Sequence, residues 1–109
     1  MVMGTSRSDS DMRKIYKFPV EVKDMQRVSL PIGAEILCVQ VVGGFICLYV
    51  LCNTDADKEE RLFVMYGTGH TMTSLPHRYI GTIQLYNGEL VFHVFELTEY
   101  EQTIIGGNK

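Results

Sequence analysis

The chain has 109 residues, 46% of them hydrophobic and 21% charged, with a formal net charge of −3. That length leaves room for one domain, and that balance can bury a core without disulfide staples, so disorder is expected only at the ends. The acidic balance, with Lys and Arg scattered and not striped, removes the main electrostatic term for tight binding to long DNA or RNA, while leaving open the capture of a few phosphates by local donors.

Residues 1–12 are rich in Ser and Asp and poor in core-forming side chains, which predicts a mobile leader. From Arg13 an extended strand puts Tyr16, Phe18 and Val20 on one side, the aromatic side being the buried one, with Pro19 marking a strand end or a sheet edge. A second strand runs from Met25 to Leu30, and Pro31-Ile32-Gly33-Ala34 has the Pro and Gly spacing of a turn.

The segment ILCVQVV, Gly43-Gly44, FICLYVLC reads as a hairpin, because the glycine pair supplies the positive φ angles of a two-residue loop. Pairing Val42 with Phe45 gives one aliphatic core face of Leu37, Val39, Val41, Ile46, Leu48, Val50 and Cys52. The reverse face, which includes Ile36, Cys38, Phe45, Cys47, Tyr49 and Leu51, is too apolar for an ordinary solvated sheet, so a second sheet, another copy of the chain or a ligand is expected to cover it.

After a polar loop at 53–59, RLFVMY forms a fifth, central strand; a short helix at 54–61 is the alternative. The loop GTGHTMTSLPHR leads to YIGTIQLY, Asn87-Gly88, ELVFHVF, a second hairpin. Pairing Tyr86 with Glu89 puts Ile83, Leu85, Leu90, Phe92 and Val94 in the core and Thr82, Gln84, Tyr86, Val91, His93 and Phe95 on the reverse, with His93 opposite Thr82. The fold expected is all-β and mostly antiparallel, a small β-sandwich or barrel-like sheet of about seven strands with at most one short helix, made by residues 13–96 and followed by a tail at 97–109.

Two glycines flanking Thr68 in Tyr66-Gly67-Thr68-Gly69-His70 would let a backbone approach an anion, with His70 as an added donor; the same glycines would equally turn the chain out of the fifth strand. Arg78 and Tyr79 close that loop, where a cation and a ring could meet a phosphate and a base, or where Arg78 simply lies over the sheet. His70, His77 and His93 lack metal-ligand spacing, so no metal and no cofactor is expected, and His93 reads as a hydrogen-bonded structural histidine. No nucleophile with a base and an orienting acid, and no inward carboxylate pair, is legible, which points away from an enzyme. The odd count of Cys38, Cys47 and Cys52, with nothing at the start that reads as a cleavable hydrophobic signal, fits a reducing compartment. The longest apolar run, 36–52, is interrupted by Gln40 and Gly43-Gly44, short of the roughly 18–20 residues a bilayer span needs.

RKIYKFPVE, LPIGAEIL, MYGTGH and YIGTIQLYNGELVFHVFE, over residues 13–96, together resemble a family of small phage-encoded proteins of unknown function, and through it the anti-CBASS sponge proteins that sequester cyclic dinucleotide immune signals such as 3'3'-cGAMP. The resemblance implies a non-enzymatic homo-oligomer, a tetramer or dimer, in the cytoplasm of an infected bacterial host. It also implies a ligand held intact, with Tyr66, Gly67, Thr68, Gly69 and His70 on phosphate and sugar, Arg78 on phosphate, and Tyr79 or Tyr16 stacked on a base. The rival expectation is a phage structural or host-protein interaction module with no small-molecule ligand.

Overall fold

The computed structural model of the protein describes residues 12–72 and 77–97. The expected leader, tail and middle of the 67–78 loop fall largely outside those residues. Seven strands form in chain order: β1 Lys14–Val20, β2 Met25–Pro31, β3 Glu35–Val42, β4 Phe45–Cys52, β5 Lys58–Gly67, β6 His77–Leu85 and β7 Leu90–Leu97. They build two antiparallel sheets, β1-β4-β3 and β2-β5-β7-β6, so the protein is a β-sandwich.

Local chemistry fixes the turns. Gly43 and Gly44 sit at φ 58° and 87°, as the tight loop between paired Val42 and Phe45 requires. At the second hairpin Asn87 and Gly88 are likewise left-handed, and Glu89 N–H donates to the Tyr86 carbonyl at 3.1 Å. Tyr86 itself also lies at φ 53°, which ends the ladder at Leu85↔Leu90 and leaves Leu90 exposed instead of in the core. The turn at Pro31 closes through Ala34 N–H to the Pro31 carbonyl, with Gly33 at φ 80°. No helix forms at 54–61. Asn53 instead holds an Asx turn, its Oδ1 accepting from Asp55 N–H at 2.9 Å, and Lys58–Arg61 pair with β2.

The inner faces of the sheets meet in one core that includes Leu30, Leu48, Val50, Phe63, Met65 and Val94, with Phe18 and Val20 packed against it from β1. The predicted β3–β4 core face is correct except at its start. A β-bulge between Ile36 and Cys38 breaks the alternation, so Ile36 turns inward and Leu37 faces out. A second bulge lies between Tyr79 and Gly81 in β6, the strand that runs beside β3. Glycine is needed there for close approach, since a Cβ on Gly81 would stand 2.9 Å from Val39 Cγ1.

Candidate functional site

The β6 bulge decides what the outer face of the four-stranded sheet presents. With uninterrupted alternation back from Thr82, Ile80 and Arg78 would point outward and Tyr79 inward. The extra residue exchanges them: Ile80 packs on the core, Tyr79 comes to lie across from Phe95, and Arg78 across from Glu96.

An aromatic cluster results. Tyr66, His77 and Phe95 meet edge to face with centroids 5.5–6.0 Å apart, and the Tyr79 ring lies 5.4 Å from Phe95. Tyr79 remains 58% exposed, a ring supported on one side and open to solvent on the other. Beneath the cluster, Leu62, Val64 and Leu97 form a small apolar base on the same face.

A polar row runs alongside. Tyr79 OH lies 2.5 Å from Thr82 Oγ1, Thr82 Oγ1 lies 2.9 Å from His93 Nδ1, and His93 Nε2 lies 2.7 Å from Thr68 Oγ1. One assignment satisfies every link with a neutral imidazole: Tyr79 donates to Thr82, Thr82 donates to Nδ1, and Nε2–H donates to Thr68. The row holds His93 in place and fixes the Tyr79 ring through its hydroxyl. Tyr66 OH makes a further contact to His77 Nε2 at 3.2 Å.

The glycine segment forms a β-turn, with His70 N–H donating to the Gly67 carbonyl at 3.0 Å and Gly69 at φ 91°. The His70 ring folds back over Gly67, where an added Cβ would stand 2.9 Å from its Cε1. Thus both glycines have a structural reason to be there, and the turn also carries Thr68 to His93.

Of the residues expected to act together, Tyr66, Thr68 and Tyr79 share the outer face, and Gly67, Gly69 and His70 form the adjoining turn. Arg78 does not join them. Its Nη2 donates to Glu96 Oε1 at 3.4 Å, on the other side of β6. Tyr16 is in the other sheet, paired across from Val50. His77, Thr82, His93 and Phe95 complete the site. The hairpin register already put His93 opposite Thr82 in the sequence; His77 had no signal, because nothing marks that β6 begins there.

Glu96 is the buried charged residue among the described residues, at 7% exposure, and it is paired. Arg61 donates Nε to Oε2 at 2.6 Å and Nη2 to Oε1 at 3.0 Å, while its Nη1 donates to the Ala34 carbonyl at 2.6 Å. The hydrogen bonds to Glu96 raise the Arg61 pKa above its ordinary value against the opposing effect of burial. This fork closes one end of the sandwich and is structural.

A hollow of about 530 Å³ opens at the other end, between the tips of the two hairpins. Val41, Ile46 and Leu85 line it together with Phe45 and Tyr86, each 72% exposed. None of the residues expected from the sequence to bind ligand lines this hollow. Among the described residues no group of three or more His, Cys, Asp or Glu could hold a metal ion, and no helix is long and apolar enough to cross a membrane.

Fold and site together define a small antiparallel β-sandwich that displays a hydrogen-bonded aromatic platform on its four-stranded sheet. The chain belongs to the family described as a domain of unknown function, DUF7352, whose family model matches residues 12–104. No curated protein and no solved structure matches it.

Proposed function

We propose that the protein is a non-catalytic nucleotide-binding module that holds a cyclic dinucleotide unchanged on the outer face of the four-stranded sheet. The observation that carries this reading is the exposed Tyr79 ring, braced by Phe95 and tied by its hydroxyl to the Thr82–His93–Thr68 row. A four-stranded sheet with aromatic rings on its open face is a recurring platform for stacking bases, each stack being worth about 1–3 kcal/mol. Tyr79 takes a base, while Thr68 and His70 at the adjoining turn offer a hydroxyl and an imidazole to phosphate oxygens, and His93, both ring nitrogens engaged, holds Thr68 in place. Arg78 drops out of the ligand set because the β6 bulge turns it to the other side of the strand, across from Glu96. In this reading the protein acts by mass action, sequestering a signal in an infected bacterial cell as the sequence resemblance implies.

Calorimetry against a panel of cyclic dinucleotides, followed by heat release and chromatography of the bound material, tests the proposal. Submicromolar binding with the ligand recovered intact supports it. Recovery of cleaved ligand refutes the non-catalytic part. Silence across the panel refutes ligand capture.

The hollow between the hairpin tips favours a second reading, a protein-interaction module that accepts an apolar side chain of its partner beside Phe45 and Tyr86. Silence in calorimetry, with the fold intact, turns attention to it.

A further inference from the structure

The outer face of the three-stranded sheet has no strand over it among the described residues. Its rows follow from the register: Ile15, Leu51 and Glu35; then Lys17, Tyr49 and Cys38; then Pro19, Cys47 and Gln40. Ile15 is 59% exposed, and Leu37, turned out by the bulge, is 41% exposed. Across these rows lie two charges, a cation on the β1 edge and an anion on the β3 edge, separated by the apolar middle strand β4.

We infer that this face is the interface of a twofold dimer of the chain, with the symmetry axis running along β4. The charges select both the partner and the axis. Two copies related by an axis along the strands lay the β1 edge of each over the β3 edge of the other. Lys17 then reaches Glu35 of the second copy, one row away and within the span of its side chain, and the symmetry makes this contact twice. Tyr49 and Leu51, on the axis, meet their own counterparts, as an isologous interface requires. An axis across the strands would instead stack the β1 edges, putting Lys17 against Lys17, and would pair no opposite charges. The inference does not rest on the ligand reading, which uses the other sheet.

The patch is small. Three strands about 4.8 Å apart and seven residues long at about 3.3 Å each cover roughly 14 by 23 Å, below the footprint of a standard stable interface, so a weak association, roughly micromolar or weaker, is expected. Sedimentation equilibrium of the full chain is expected to show a mass rising from 12.4 kDa towards twice that as concentration passes through this range. Lys17→Glu and Glu35→Lys are each expected to weaken association at least about tenfold by setting like charges together, and the double variant K17E/E35K to restore it. Both side chains are exposed, and a thermal melt of each variant checks that the fold is kept. A mass that stays at the monomer value throughout, or association that neither single variant weakens, or a double variant no better than the singles, overturns the inference.

Discussion

Replacing Glu96 by Gln should be the most destabilising single polar change in the described fold. The substitution keeps size and shape but removes the charge that balances Arg61, whose side chain is only 14% exposed. An amide offers one acceptor oxygen to a guanidinium that now makes two bonds to the carboxylate, and its NH₂ group faces a second donor. Removing one partner of a buried pair costs about 3–5 kcal/mol because the other charge is left uncompensated. Arg61 would keep its bond to the Ala34 carbonyl and has Glu59 at 3.9 Å, so the lower end, about 3 kcal/mol, is expected. At about 4–8 °C per kcal/mol for a domain of this size, Tm should fall by at least about 12 °C. Calorimetry and urea unfolding measure this directly. Arg61→Met with Glu96→Leu should recover most of the loss, since two apolar groups leave no charge buried. A Tm drop under about 3 °C for the single variant would refute the reasoning and mean that water already solvates the fork.

Gly81→Ala should cost about 1–3 kcal/mol, because the new methyl meets Val39 Cγ1 at 2.9 Å where the two sheets approach; adding Val39→Ala should cost less than the sum of the two single changes, read as a coupling in urea unfolding. Arg78→Ala should lower stability by under about 1 kcal/mol, since that guanidinium is half exposed and makes one long bond to Glu96. Burial pushes the Cys52 thiol above its ordinary value of 9.0, with Lys58 opposing the shift. The unfolded chain therefore loses this proton first, so the stabilisation is intact below pH 9 and declines as pH rises towards the folded value. Urea midpoints of the wild type should accordingly fall more steeply above pH 9 than those of Cys52→Ala. Under native conditions a maleimide should label Cys38 ahead of Cys47 and Cys52, because only the first is not buried; mass spectrometry of early time points reads the order.

Much of this fold is written in two short signals. Gly43-Gly44 between β-branched runs and Asn87-Gly88 between alternating runs set the register of their hairpins, and that register alone aligned His93 with Thr82 and put Val39, Leu48, Val50 and Val94 in the core. The bulges were not legible. An inserted residue is indistinguishable in sequence from any other strand residue: the two bulges lie in β3 and β6, which are adjacent in space and far apart in the chain. Each bulge moved particular residues. At Leu37 it exchanged Leu37 for Ile36 in the core, and at Ile80 it delivered Tyr79 to the outer face and sent Arg78 to Glu96. The Arg61–Glu96 fork joins residues 35 positions apart, so no local pattern announces it. Short range also explains why a short helix at 54–61 stood as an alternative: its polar residues suit a helix locally, but pairing with β2 holds 58–61 extended.

The claim that the four-stranded sheet carries the ligand is tested most directly by calorimetry with a cyclic dinucleotide on two variants, Tyr79→Ala and Tyr16→Ala. Loss of a stacked base should weaken binding to Tyr79→Ala by about tenfold or more, while Tyr16→Ala, altered in the other sheet, should bind as the wild type does. Unchanged affinity in Tyr79→Ala, or a loss confined to Tyr16→Ala, would contradict the account and move the site off this face.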